Sequence, residues 1–273
     1  MHTIKKSFFS LFFIFSSIDL ISQDIEEIIV KGNWRESKSI EQDSSIVILK
    51  NNILESQPVK HFENLSYLVP NLNFAASDSR ARHFQIRGIG ERSGYERTPN
   101  SAVGILIDDV DYSGQGGIAT TFDIDQVEVH RGPQGSRIGS NALAGLIYIK
   151  TKEPTAEYEG ITEITSGSYG TLNAGIAFGG PSAFNQNLTY RLVLRKDYSD
   201  GFRKNLFSGK SDTSKKDEST YRLKMNWKIG SDTTLKLLVT QIDLNDPADI
   251  WTIDGSLNTL SDRPGMDSQK TNA

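Results

Sequence analysis

The spacing of hydrophobic positions changes near residue 154. Before that point, short apolar runs are separated by glycine-rich and polar segments, which predicts short strands and one short helix. After it, apolar and polar residues alternate over about ten positions at a time, most clearly over residues 188–195 and 220–229. Such segments are typical of transmembrane β-barrel strands. A soluble β-sandwich also alternates, so the pattern leaves both architectures open.

The lengths of the connections favour the barrel. Residues 179–186 and 230–233 are short turns, whereas residues 199–219 and those after 245 are long and polar. Short turns that alternate with long loops fit periplasmic turns and extracellular loops. Plugged barrels have about 22 strands, and residues 155–273 suffice for about five. We therefore expect an N-terminal fragment of a longer barrel protein.

The first half predicts a smaller α+β unit. Strands are expected at residues 44–50 and 84–88, and a helix from Pro58 through Leu68. Residues 101–110 are expected to form a strand and a turn, which the pair Asp108-Asp109 initiates. In residues 122–154, a half-buried strand places Val127 and Val129 opposite Glu128 and His130. A helical turn is predicted at residues 140–145, followed by a strand at 146–149.

Composition limits the possible functions of the protein, and its N-terminus indicates where the protein is exported. The net charge of −4 gives no indication of a nucleic-acid partner, and the lack of cysteine excludes disulfides, zinc–cysteine sites and thiol nucleophiles. Lys5 and Lys6 precede an apolar run that is too short to span a bilayer, which predicts a secretory signal peptide cleaved near Ser22. A membrane-anchoring helix is the alternative. Gly88-Ile89-Gly90 lacks the spacing and the following helix of a dinucleotide site.

Several motifs resemble those of the TonB-dependent outer-membrane receptors. The stretch VEV-H-RGPQG at 127–135, Asn141-Ala142, Gly145 and TKEP at 151–154 follow the end of that family's plug domain. PNLNF at 70–74 and IRG at 86–88 also match. His130 departs from the pattern, since the family usually has an apolar residue there.

The resemblance implies an α+β plug domain followed by the first strands of an antiparallel transmembrane β-barrel, which is incomplete. The expected organisation is a signal peptide at 1–22, a TonB box and flexible linker at 23–43, the plug at 44–153 and about five barrel strands at 154–273. It further implies a receptor in the outer membrane of a Gram-negative bacterium, with TonB and a scarce nutrient such as an iron complex as partners. No enzymatic activity, cofactor or metal is expected. A truncated product without transport activity and a secreted β-rich binding or adhesion protein remain alternatives.

Three sets of residues follow from the resemblance. A TonB box is expected at Ile25, Glu26, Glu27, Ile28, Ile29 and Val30, although these residues would also suit a permanent edge strand. Arg87 and Arg131 are expected to lock the plug to barrel glutamates. The candidate ligand-facing loop residues are Arg80, Arg82, His83, Arg92, Tyr95, Arg97, Tyr112 and Gln115. Their cations would favour an anionic ligand such as a ferric siderophore, whereas solvated loop charges are the alternative.

Overall fold

The computed structural model describes residues 28–31, 37–38, 45–57, 60–76, 80–93, 96, 98–115, 120–247, 249, 256–260 and 269–272. Within these ranges an α+β unit, here called the N-terminal unit, extends to Thr151. A sheet of much longer strands, here called the large sheet, begins at Glu159. The change in pattern near residue 154 therefore marks a change of architecture.

The N-terminal unit is built on a five-stranded sheet with the order β3-β8-β9-β6-β7. Strands β6 and β9 are parallel and the other neighbours are antiparallel. Two small sheets, β1-β2 and β4-β5, accompany it. The strands are β1 Ile29–Val30, β2 Ser37–Lys38, β3 Ile46–Lys50, β4 Leu72–Ala76, β5 Ala81–Ile86, β6 Val103–Ile107, β7 Val110–Asp111, β8 Ile124–His130 and β9 Gly145–Thr151. The helical segments are α1 Asn51–Ser56, a 3-10 helix Phe62–Tyr67 and α2 Gly135–Ile138.

One face of the five-stranded sheet forms the main hydrophobic core. The buried valines and isoleucines of β8, β9 and β6 contact the 3-10 helix and the β4-β5 pair. Burial of this apolar surface is the main stabilising contribution to the unit. The largest fully buried members are Phe62, Leu65, Phe84, Ile86, Ile105, Ile124, Ile147 and Ile149.

Strand β8 is buried on both faces, so the prediction of a half-buried strand is wrong. Val127 and Val129 face the core as expected, but the side chains of Glu128 and His130 are also fully buried, at 0% exposure. The second face of the sheet is covered by α2 and by a smaller apolar cluster around Leu146. Fully buried Val30, in β1, adds to this cover.

The helical segments differ from their predicted positions. The helical turn lies at Gly135–Ile138 and not at the predicted 140–145. A helix cannot run through the predicted range, because Ala142 has a left-handed conformation with a φ of 63°. The helix expected from Pro58 is a 3-10 helix over Phe62–Tyr67. Helix α1 was not predicted, because Leu54 is its only buried residue and leaves no helical periodicity to detect.

The large sheet confirms the predicted barrel-type strands. Its members are β10 Glu159–Ser166, β11 Leu172–Pro181, β12 Leu188–Ser199, β14 Lys216–Ile229, β15 Thr233–Asp246 and β17 Gln269–Asn272. They are antiparallel and hydrogen-bonded in that order. A short parallel pair, β13 Lys204–Asn205 and β16 Asn258–Thr259, lies in the connections.

The two faces of the large sheet have opposite chemistry. Apolar side chains such as Ile176, Leu237 and Val239 are exposed on the outer face. Charged side chains such as Arg191 and Arg222 are buried on the inner face, against the N-terminal unit. An exposed apolar face with a covered polar face is the arrangement of a membrane wall.

No helix among the described residues is long and apolar enough to cross a membrane.

Candidate functional site

The N-terminal unit is attached to the inner face of the large sheet at three levels. Asp123 provides the middle attachment. Its carboxylate accepts hydrogen bonds from Arg191 Nε at 2.9 Å and Nη2 at 2.5 Å, and from Arg222 Nη2 at 3.3 Å. The three side chains are 0%, 4% and 6% exposed. Asp123 lies just before β8 and has a left-handed backbone conformation, with a φ of 60°.

A second contact at this level involves the neighbouring Phe122. The Arg195 guanidinium lies 5.1 Å from the centre of the Phe122 ring, which favours a cation–π interaction. Arg195 Nη1 also donates to Glu163 at 2.8 Å, and Lys60 Nζ of the N-terminal unit lies 2.7 Å from the same carboxylate. A Cβ atom at Gly175 would lie 3.0 Å from the Phe122 ring. Glycine at position 175 therefore permits this close approach.

The attachment nearest the long connections is centred on Arg80. Its Nη1 donates to Glu63 at 2.7 Å, its Nε donates to Glu218, and Asp246 lies 3.7 Å away. Lys216 Nζ adds a contact to Glu63 at 3.5 Å. The guanidinium thus joins the 3-10 helix of the N-terminal unit to strands β14 and β15.

The attachment nearest the short turns is centred on Lys224. Its ammonium lies 2.9 Å from Asp108, 3.0 Å from Glu153 and 3.2 Å from the carbonyl oxygen of Thr151. Asp108 also accepts from the backbone N–H and the hydroxyl of Thr151, at 3.0 and 2.6 Å. Asp108 and Asp109 have φ values of 46° and 69°, which confirms the predicted turn role of this pair.

Burial and charge shift the pKa of two neighbouring groups at the Arg80 attachment. Burial, helped by the positive charge of Arg80, lowers the pKa of His61 from 6.5 to about 4. Burial alone would raise the pKa of Glu63, but the positive charges of His61, Arg80 and Lys216 outweigh it and lower that pKa from 4.5 to about 2. At neutral pH His61 is uncharged, so Arg80 and Lys216 supply the charge that keeps Glu63 ionised.

His61 is expected to make the attachment sensitive to mild acid. Because its pKa is lower in the folded protein, the unfolded chain binds a proton first as the pH falls. The stability contribution is complete above about pH 6.5 and is lost towards pH 4, by roughly 3 kcal/mol. Unfolding measured across this range should show the loss, and His61→Asn, which can still cap the 3-10 helix, should remove it. An equally steep pH dependence in His61→Asn would contradict this assignment. Glu63 acts in a separate window, from about pH 4.5 down to 2.

Arg87 and Arg131 lie next to each other at the ends of β5 and β8. Arg87 is exposed, has a φ of 55°, and donates from Nη1 to the carbonyl oxygen of Arg131 at 3.3 Å. The Arg131 backbone donates to Ser45 at 2.8 Å. Within the described ranges neither guanidinium forms an ion pair. Their role as a lock therefore stays a prediction.

Two of the predicted ligand-facing residues are buried. Arg80 is 7% exposed and engaged by three carboxylates, so in this conformation it attaches the N-terminal unit to the sheet and does not face a ligand. His83 is 5% exposed, and its Nε2 lies 3.1 Å from the carbonyl oxygen of Glu96. Burial prevents both side chains from meeting a ligand in this conformation.

The other predicted ligand-facing residues are more accessible. Arg92 and Gln115 are exposed, and Tyr112 is half-buried. Arg82 is half-buried and donates from Nε to the carbonyl oxygen of Gly114 at 3.3 Å, which links two of the loops. Tyr95 and Arg97 lie outside the described residues. A ligand-facing role for these six remains a prediction.

The predicted TonB box is described only from Ile28 onward, and Ile25, Glu26 and Glu27 lie outside the described residues. Ile28 is 37% exposed, whereas Val30 is fully buried. Ile29 and Val30 pair antiparallel with Lys38 and Ser37. This pairing is only two residues long.

Sequence reasoning missed the residues on the large sheet that hold the N-terminal unit. Their signal was present in the alternation, because Arg191, Arg195, Arg222 and Lys224 occupy the polar positions of β12 and β14. The pattern predicts their face but not their partners, which lie 68 or more residues away in the pairs with Asp123 and Asp108.

Comparison with known proteins finds a family model and several receptors that are similar to part of this chain. A family model described as the TonB-dependent receptor plug domain matches residues 38–146. The pesticin receptor of Yersinia pestis is 28% identical over 152 residues, which cover 55% of this chain and 22% of that protein. The ferripyoverdine receptor of Pseudomonas aeruginosa is 26% identical over 125 residues, which cover 45% of this chain and 15% of that protein.

Solved structures share the fold. The ferric yersiniabactin uptake receptor FyuA from Yersinia pestis superposes with a TM-score of 0.69 at 21% identity, over 77% of this chain and 33% of that one. The pyoverdine outer-membrane receptor FpvA from Pseudomonas aeruginosa gives a TM-score of 0.65 at 18% identity, over 78% and 29%. The chain thus spans about a third or less of the length of these relatives.

Proposed function

Because this chain carries the plug domain of the TonB-dependent receptors, we propose that it serves in the uptake of a ferric siderophore, driven by TonB. The chain is an outer-membrane receptor protein of a Gram-negative bacterium. The relatives it resembles are named as receptors.

The observation that carries this proposal is how the plug covers the inner face of the large sheet. Burying charged side chains is costly unless they are paired, and Asp123, Arg80 and Lys224 provide such pairs at three levels. The outer face meanwhile exposes apolar side chains, as a lipid-facing wall requires. A secreted β-rich adhesion protein would instead expose its polar face to water. The buried polar face and exposed apolar face of the large sheet therefore favour a membrane protein.

The chemistry of the loops supports an anionic iron complex. Arg82 and Arg92 lie in the predicted ligand-facing loops, and Arg92 is exposed. Cations clustered at the mouth of a cleft raise the local concentration of an anionic ligand. The relatives carry names that refer to ferripyoverdine and ferric yersiniabactin. A negatively charged ferric siderophore is therefore the ligand class proposed.

The short β1 supports TonB engagement through the box at residues 25–30. An extended segment held by a two-residue ladder is easily recruited to the edge of another sheet, where backbone hydrogen bonds supply the affinity. Ile28, at the start of the described part, is partly exposed.

The substitution Ile28→Pro is expected to abolish iron uptake and to leave siderophore binding intact. Proline removes a backbone donor and cannot sit within a paired strand, whereas Ile28→Val keeps both the donor and the β-propensity. Uptake and binding of radiolabelled ferric siderophores would be measured on cells that produce the protein, its two variants or none. The siderophore panel should span catecholate, hydroxamate and mixed-ligand types.

Three outcomes separate the alternatives. Binding without uptake in Ile28→Pro, with normal uptake in Ile28→Val, supports the proposal. Loss of binding and uptake together in Ile28→Pro would show that residues 25–30 are a permanent strand of the plug. Equal uptake in cells with and without the protein, across the whole panel, would favour a product without siderophore transport.

A further inference from the structure

The fully buried polar face of β8 calls for a physical explanation. Gln126, Glu128 and His130 alternate along the strand and share this face, with exposures of 4%, 0% and 0%. Burying a carboxylate inside a protein is costly unless hydrogen bonds compensate. Val30 of the N-terminal segment is itself fully buried.

Side chains of β8 and its start hold the N-terminal segment directly. Gln126 Nε2 donates to the carbonyl oxygen of Ile29 at 2.9 Å. The backbone N–H of Lys31 donates to Glu128 Oε1 at 2.6 Å, and Lys31 Nζ lies 2.6 Å from Asp125 Oδ2. The backbone of residues 29–31 is therefore bound to β8 through side chains, not through a strand ladder.

Neighbouring groups fix the Glu128 carboxylate in place. Its Oε1 also accepts from Gln126 Nε2 at 2.7 Å, and its Oε2 lies 2.9 Å from His130 Nε2. One hydrogen bond thus joins the Glu128 carboxyl group to the His130 ring. The other ring nitrogen, Nδ1, makes no hydrogen bond with any described residue. His130 therefore serves to orient Glu128 towards the Lys31 amide.

We propose that Asp125, Gln126, Glu128 and His130 form a polar latch that holds residues 29–31 on the plug in the resting receptor, with Glu128 as its positioning residue. That TonB releases residues 29–31 rests on the proposed function, whereas the latch is a property of the resting plug and does not depend on it. Pulling residues 25–30 would break these few contacts first. Water would then reach a carboxylate, an imidazole and an amide that were buried in the plug sheet, and their hydration would favour loosening of the plug.

The latch can be tested through a single introduced thiol, because the chain contains no cysteine. Val30→Cys places the thiol at a fully buried position, and its rate of maleimide labelling reports release of the segment. The rate would be measured on purified protein in detergent, without siderophore or TonB. Glu128→Leu should raise it at least tenfold. Glu128→Gln, whose amide oxygen can still accept from Lys31, should restore slow labelling.

Two further variants complete the design. Gln126→Leu keeps Glu128 and removes the donor to Ile29, so it should also speed labelling where Glu128→Leu does not fold. Asp217→Asn neutralises a carboxylate on β14 of the large sheet that pairs with Lys196, and should leave the rate unchanged. Hydrogen exchange of the Lys31 amide in the chain without cysteine checks that the thiol has not disturbed the segment.

Equal labelling rates in all variants would overturn the latch, even where iron uptake is normal. Fast labelling in Glu128→Gln as well as in Glu128→Leu would overturn the positioning role of Glu128. Latch-dependent labelling in a protein that takes up no siderophore would overturn the proposed function and leave the latch standing.

Discussion

Replacing Asp123 by alanine is expected to destabilise the attachment of the plug by about 3–5 kcal/mol, the cost of removing one partner from a buried ion pair. The carboxylate is fully buried and is shared by Arg191 and Arg222, which are themselves 4% and 6% exposed. Its removal would leave two guanidinium groups without a counter-charge in a covered site. The free energy of unfolding of the plug, measured by chemical denaturation of the protein in detergent, should show the loss.

Two substitutions provide the controls. Asp123→Asn keeps an oxygen acceptor and tolerates the left-handed backbone at this position, so it should cost clearly less than Asp123→Ala. Asp109→Asn removes a carboxylate that is 62% exposed and pairs with Arg137, an interaction worth under about 1 kcal/mol. If Asp123→Ala were no more destabilising than Asp109→Asn, the pairs with Arg191 and Arg222 would not hold the plug.

Replacing Arg80 by methionine should cost a similar amount, about 3–5 kcal/mol at neutral pH. Methionine fills most of the volume but leaves Glu63, Glu218 and Asp246 together with less positive charge between them. Protonation of one carboxyl group would relieve their repulsion. The destabilisation relative to the parent should therefore shrink as the pH falls below about 5, where carboxyl groups begin to bind protons.

This pH dependence separates a charge effect from a packing effect. In the parent, Arg80 helps to hold the pKa of Glu63 at about 2, so acid lowers stability. In Arg80→Met acid should lower the stability less, so the free energies of unfolding of the two proteins should converge as the pH falls from about 5 towards 2. A difference that is constant with pH would mean that Arg80 acts through its volume alone.

The sequence predicted the elements that depend on local periodicity. Residues 188–195 and 220–229 alternate cleanly, and both lie in long strands of the large sheet. Alternation is a strong signal because it repeats along one segment. The turn at Asp108 and Asp109 was equally local. Helix α1 escaped prediction because a single buried residue, Leu54, gives no repeat.

Partners distant in sequence could not be predicted in the same way. Arg80 pairs with Glu218, 138 residues away, and was assigned to a ligand because it sits in a charged segment between strands. Glu128 and His130 appeared to face solvent, since the strand pattern cannot reveal that Val30 is buried in the fold. Local pattern fixes which face a side chain occupies, whereas tertiary contact decides what meets that face.

The three levels of attachment also bear on how the molecule assembles. Every plug–sheet ion pair described above joins the plug to β10, β12, β14 or β15, the strands that follow it directly in the chain. Loop-closure entropy rises with chain length, so docking strands that follow the plug directly costs less than docking strands further along a chain. Asp123, Arg80 and Lys224 can then act as registration points for incoming strands. A register shift of one residue would turn Arg191 towards lipid and separate it from the Asp123 carboxylate. Folding intermediates with misaligned strands would therefore be destabilised.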